Sequence, residues 1–131
     1  MRLLLDTHVL LWALIETRRL DQSTRDLIES DETEVLFSPI SILEIAIKFR
    51  LGRPDFTVPP TEVVRTARQL DFAELPVHSD AAALVAELPL LHRDPFDRLL
   101  VAQSIVEPAT LCTADARLEA YPALVRRIPR H

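Results

Sequence analysis

The sequence predicts an α/β fold: a parallel sheet flanked by helices on both faces, in three layers. Three observations lead there. Short apolar runs suited to buried strands alternate with segments of helical pattern along all 131 residues, and such alternation requires crossover helices and a parallel sheet. Two of the helical segments open on a cap-then-proline pair, Ser38-Pro39 and Asp94-Pro95. That pair supplies a side-chain acceptor for free amides, then a residue whose missing N–H is not needed there. The apolar fraction of 48% and charged fraction of 27% are those of a soluble globular chain, long enough to fill a core without staples.

The elements follow in order. Arg2–Leu5 reads as a short buried strand and Thr7–Ile15 as an apolar helix after it. Asp21 caps a second helix to about Glu29, with Leu27 and Ile28 on one side. Glu34–Phe37 is a second strand, and the helix opened by Ser38-Pro39 stops near Gly52. Pro59-Pro60 opens a helix from about Thr61 to Leu70. Phe72–Val77 is a brief extended piece, followed by a helix capped at Ser79 that ends before Pro89. Asp94-Pro95 opens a helix to about Ile105. Thr110–Thr113 is a strand, a helical turn follows Asp115, and Val125–Ile128 is a last strand.

No repeat, low-complexity tract or linker divides residues 1–131, so one domain is expected. A single cysteine, Cys112, allows no internal disulfide, and no Cys/His spacing matches a zinc site. The acid at position 6 comes too early for a signal peptide, and the apolar run from Val9 to Ile15 is too short to span a bilayer. A cytoplasmic protein with no membrane partner is expected. The net charge of −5 argues against a general nucleic-acid coat but leaves a nuclease open, because acidic metal ligands contribute negative charge that a bound cation reverses. Lys48 is the only lysine beside fourteen arginines. With one glycine, neither a P-loop nor a dinucleotide fingerprint is available.

The chemistry lies in four acids: Asp6, Glu44, Asp97 and Asp115. Ligands of open α/β sheets bind beyond the carboxyl ends of the strands. Asp6 ends the first strand, and Asp115 lies two residues past Thr113. Asp97 falls in the first turn of a helix that begins at that edge. Glu44 sits about five residues into another, roughly 7.5 Å along its axis, with a side chain that leans back toward the helix N-terminus. The four can converge, and crowded carboxylates imply a bound hard cation such as Mg²⁺ or Mn²⁺. Each also has a plainer reading. Asp6 would cap a helix, Glu44 would pair with Lys48 on an exposed face, Asp94 and Asp97 would form a capping-box-like pair, and Asp115 would be a turn residue. Glu44 resists its plain reading most, since Ile40, Ile42, Leu43, Ile45, Ala46 and Ile47 surround it.

The segments L-L-L-D-T-H-V-L-L-W, S-P-I-S-I-L-E-I-A-I-K-F-R-L-G and H-R-D-P-F-D-R-L-L-V-A-Q, with L-C-T-A-D after them, resemble in order and spacing the PIN-domain ribonucleases, and more narrowly the VapC toxins of type II toxin–antitoxin pairs. The resemblance runs nearly end to end. It implies a PIN-like sheet, Mg²⁺ dependence with Mn²⁺ possible, and endonucleolytic cleavage of an RNA substrate by metal-activated water. The family's acidic site falls on Asp6, Glu44, Asp97 and Asp115 as catalytic and metal-binding residues, with Asp94 an outer acid at most. Thr7 and Thr113 would orient carboxylates, and Arg98 would contact phosphate or form a salt bridge. A cognate antitoxin and a homodimer are the implied partners, with Leu11, Trp12 and Ile15, or Ile47 and Leu51, as candidate contact residues. The stretch E-P-A-T-L-C-T departs from the family in carrying a proline and lacking the glycine often found before this strand, which bears on Asp115.

Other residues read more plainly. His8 and His92 lack a second histidine at ligand spacing, so polar or packing roles are expected of both. Cys112 is expected to be buried, Trp12 to be core or interface, and Arg126, Arg127, Arg130 and His131 to form a solvated end. Four other functions compete. A receiver-type signalling domain would need a lysine late in the chain, where this one has none. A haloacid-dehalogenase-like phosphatase would want an acid at position 8, which is His8. A PIN-fold binding module without catalysis, or a housekeeping RNA-processing nuclease, remains the main alternative.

Overall fold

The computed structural model describes residues 1–129. Its five strands are β1 (Arg2–Leu5), β2 (Glu34–Phe37), β3 (Ala73–Glu74), β4 (Thr110–Thr113) and β5 (Val125–Arg127). They form one sheet in the order β3-β2-β1-β4-β5, with every pairing parallel. β1 is central, matching Leu4 to Leu36 on one side and Leu5 to Cys112 on the other. The chain leaves β1 toward β2 and later returns to the opposite side as β4, which opens a crevice at the strands' carboxyl ends between β1 and β4.

The helices are α1 (Thr7–Ile15), α2 (Gln22–Glu29), α3 (Pro39–Arg50), α4 (Pro60–Gln69), α5 (Ser79–Leu84) and α6 (Pro95–Val106). Strand alternation divides the core into two layers. Leu3, Leu5, Val35, Phe37 and Cys112 pack with α1 and α4 on one face, whereas Leu4, Leu36 and Leu111 pack with α5 and α6 on the other. The predicted three-layer α/β/α architecture is therefore the observed one.

Local chemistry explains the boundaries. Ser38 Oγ accepts from the Ile40 amide at the start of α3, as its cap-then-proline signal requires. The helix ends in a Schellman arrangement: Gly52 donates to the Phe49 carbonyl and Arg53 to that of Lys48, both at 3.0 Å, with Gly52 at φ +72°. Only a glycine takes that conformation without strain. Small departures from the sequence reading occur where signals were weak. α4 begins at Pro60 rather than Thr61, and α5 is capped by His78, with Ser79 its first residue. Of the extended piece Phe72–Val77, only Ala73–Glu74 pairs in the sheet. A 3₁₀ turn at Thr17–Arg19 had no sequence signal. Arg130 and His131 lie outside the described residues.

One buried contact fixes the relation of two site-bearing helices. Gln103 of α6, with no exposed surface, accepts from Ser38 Oγ at 2.6 Å and donates to the Leu75 and Pro76 carbonyls. It thereby ties α6 to the start of α3 and to the end of β3. No helix among the described residues is long and apolar enough to cross a membrane.

Candidate metal centre

The four predicted acids line one cleft of about 200 Å³ at the carboxyl edge of the sheet. Asp6, held to β4 by its amide N–H on the Cys112 carbonyl, caps α1 by accepting from the Val9 amide at 2.9 Å. Its other oxygen accepts from Thr113 Oγ1 at 2.5 Å. Burial raises this carboxyl above its ordinary range, against the Thr113 and Val9 hydrogen bonds that lower it. Glu44 is buried rather than on an exposed face. It accepts from Thr7 Oγ1 at 2.6 Å and pairs with Lys48 one turn on. Thr7 and Thr113 thus orient two carboxylates, as expected of them.

Asp94 caps α6, accepting from the Phe96 amide at 2.8 Å, and Asp97 stands in the first turn. The Asp97 carboxyl is pushed up to about 8, first by burial and then by the charges of Asp94, Asp6, Glu44 and Asp115. Asp115 behaves in the opposite way. Burial pushes it up, but hydrogen bonds from the Arg117 side chain, the Arg117 amide and the His92 ring outweigh that and bring it to about 2. Arg117 holds it with a fork, Nε on Oδ1 at 3.1 Å and Nη2 on Oδ2 at 3.0 Å. The Asp115 amide donates to Thr113 Oγ1 at 3.0 Å, so one threonine sets the position of two acids.

Two residues enter the site that the sequence reading left aside. His92 Nε2 lies 2.9 Å from Asp115 Oδ2 and 3.3 Å from Asp97 Oδ2. The ligand-type atoms of His92, Asp97 and Asp115 all fall within 4.8 Å of one another. Arg117 is the second. The available signal was proximity alone, since His92 and Arg117 each stand two residues from an acid that had been singled out. His8 packs edge-on against Phe56 at 5.6 Å and lies 6.0 Å from Trp12, and it also lines the cleft beside Asp6. Cys112 is buried, which pushes its thiol up to about 12 and leaves it without thiolate character.

The expectations for Arg98 are corrected. Its guanidinium is buried, donating to the carbonyls of Val85, Leu88 and Pro89 and to the Tyr121 hydroxyl. Among the described residues it reaches neither a carboxylate nor the cleft, and it clamps the segment before α6. Leu11 and Trp12 are core residues and cannot form an exposed patch, whereas Ile15, Ile47 and Leu51 are exposed.

The residues fit a hard divalent cation. The cleft presents carboxylate oxygens from four points of the chain, and the burial and mutual repulsion that push Asp97 upward are what a cation would offset.

Residues 3–124 match the sequence model of the PIN domain. No curated protein matches the chain. Among solved structures, VapBC2 from Rickettsia felis bound to a promoter DNA fragment aligns with a TM-score of 0.74 at 14% identity, over 98% of this chain and 99% of its counterpart. VapBC-1 from nontypeable Haemophilus influenzae aligns at 0.65 with 15% identity, over 97% and 98%. DNA-bound VapBC from Salmonella typhimurium aligns at 0.65 with 11% identity, over the same shares. At these identities the likeness is one of fold, and it agrees with the sequence match: the chain belongs to the PIN-domain family.

Proposed function

We propose that this protein is a Mg²⁺-dependent endoribonuclease, with Mn²⁺ able to substitute, and that it is the toxin of a toxin–antitoxin pair. The observation that carries the reading is the convergence of Asp6, Glu44, Asp97 and Asp115 in one cleft with a carboxyl displaced to about 8. These four would hold the metal. When bound, the ion supplies Lewis-acid chemistry, neutralising charge on a phosphate and acidifying water beside it. The chain's own residues do the rest. Thr113 and Thr7 aim the Asp6 and Glu44 carboxylates, Gln103 holds α3 against α6, and the exposed Arg117 offers a cation to substrate phosphate at the cleft mouth. No protein nucleophile is needed, which agrees with an inert Cys112.

The toxin assignment rests on the resemblance of the sequence motifs to the VapC toxins, supported by the fold likeness to the VapBC structures. We propose by the same likeness a cognate antitoxin for this chain, a homodimer, and a single domain over residues 1–131 acting in the cytoplasm. The exposed Leu43, Ile47 and Leu51 along α3 offer apolar area for one of these contacts.

The test is cleavage of a structured RNA by purified protein with Mg²⁺, beside EDTA and Asp97→Asn controls. Activity that needs the metal and vanishes in the variant is the expected result. Equal cleavage by the variant would reject the site. Cleavage by neither, with metal uptake intact, would favour the binding-module alternative.

A further inference from the structure

His92 is more firmly built in than its plain sequence context suggested. The ring is buried at 7% exposure. Its own amide donates to the Tyr121 hydroxyl at 2.9 Å, and that hydroxyl also accepts from Arg98, which is pinned to three backbone carbonyls. The ring faces a different partner at each nitrogen. Nδ1 accepts from the Asp94 amide at 3.0 Å. Nε2 faces Asp115 Oδ2 at 2.9 Å and Asp97 Oδ2 at 3.3 Å.

Those partners fix the tautomer. A nitrogen that accepts from an amide N–H carries a lone pair, so the neutral ring has its proton on Nε2. Nε2–H is then a donor to two carboxylates that come from different elements, the first turn of α6 and the turn after β4. A metal-ligating nitrogen must instead offer a lone pair. Moving the proton to Nδ1 to free Nε2 would set two N–H donors against each other at Asp94. The His92–Asp97–Asp115 triangle therefore has the composition of a nitrogen-containing metal site without its protonation.

We infer, on the reading of this cleft as a metal centre, that His92 is a positioning residue: its Nε2–H draws Asp97 and Asp115 together, close enough to share one divalent cation, and does not itself ligate the ion. Oxygen-only ligation then follows for the cation, which suits Mg²⁺ and Mn²⁺ over softer metals.

Two substitutions separate the two ends of the ring. His92→Gln keeps a donor near the Nε2 position and loses the acceptor for the Asp94 amide. His92→Asn keeps that acceptor and loses the donor. Mn²⁺ binding is measured by titration calorimetry, with urea melts to compare stabilities and pulsed electron paramagnetic resonance to detect nitrogen bound directly to Mn²⁺. The expected result is no directly bound nitrogen in the wild type. His92→Asn should lose affinity about tenfold or more, the usual effect of removing a residue that orients a metal ligand, and His92→Gln should stay within about threefold of wild type. A nitrogen signal in the wild type that disappears in His92→Asn would overturn the inference in favour of direct ligation. Equal affinities in both variants, whether intact or lost, would overturn it in favour of no role or a purely structural one. A wild type that takes up no Mn²⁺ would reject the metal-centre reading itself, a distinct outcome that removes the inference with it.

Discussion

Replacing Asp97 with Asn should stabilise the metal-free protein while abolishing cleavage, and the pH dependence of the gain tests the electrostatic account of the cleft. The Asp97 carboxyl is displaced from 3.8 to about 8, first by burial and then by four neighbouring acids. Between those values the folded protein keeps a proton that the unfolded chain has released. The native state binds more protons across that window, so stability is fully present below 3.8, falls as pH rises and levels off past about 8. Asn has the shape of the protonated acid and does not titrate, so the variant lacks this slope. Between pH 5 and pH 7 an unscreened site would shift the difference by roughly 3 kcal/mol, at about 1.4 kcal/mol per unit. The side chain is 19% exposed, and water at the cleft mouth screens the shift to about 1–2 kcal/mol. Urea unfolding of both proteins in EDTA at pH 5, 6, 7 and 8 measures it. A gain that grows with pH is expected. A difference that is flat across pH, or a variant less stable than wild type at pH 7, would refute the reasoning. Repeating the melts with Mn²⁺ at about 100 times its Kd should stabilise the wild type by roughly 2.7 kcal/mol and the variant by much less.

Other substitutions test the supports of the site. Thr113→Val removes the donor to Asp6 and the acceptor for the Asp115 amide; a loss of about 1–3 kcal/mol in urea melts is expected, with Mg²⁺-dependent cleavage down about 10–100-fold. Gln103→Leu takes away the acceptor of the Ser38 hydroxyl proton and the side-chain donor to the Leu75 carbonyl; a cost of about 2–3 kcal/mol should appear in the same melts. Gly52→Ala meets no atom within 4 Å, so its cost is the left-handed backbone alone, about 1–2 kcal/mol. A shifted urea midpoint with unchanged RNA cleavage is expected there.

The parts of this protein that were legible in the sequence are those governed by local rules. Cap-then-proline pairs give the starts of α3 and α6 because capping is satisfied within a few residues. The strand ends place Asp6 and Asp115 because alternation and sheet topology dictate which edge they reach. The roles of His92 and Arg98 were not legible, because both are decided by partners far along the chain. Tyr121 meets both, and it carries no local signal that points to residue 92 or 98. The partial burial of α3 was hidden for a related reason. Its apolar run carries no clear face of its own: Glu44 and Ile45 face inward while Leu43 and Ile47 remain exposed, a division that the neighbouring elements impose.

A capping role and a place in the cleft are compatible for the acids at helix starts, and the compensation each acid receives sets Asp97 apart. A capping carboxylate is fixed by backbone amides at the end of a helix, and in a parallel sheet those ends gather at the edge where ligands bind. Asp6 and Asp115 each satisfy a local amide and still face the cleft. Asp115 is also answered by Arg117 and Glu44 by Thr7 and Lys48, while the Thr113 hydroxyl offsets only part of the burial that raises Asp6. Asp97 caps nothing. Among the described residues its carboxylate has the His92 Nε2–H at 3.3 Å as its partner and four acids as its electrostatic neighbours. Asp6 is likewise raised by its burial but keeps two hydrogen bonds, whereas Asp97 has that one longer contact against four acids, and this is why Asp97 rather than Asp115 is the substitution on which the metal reading stands or falls.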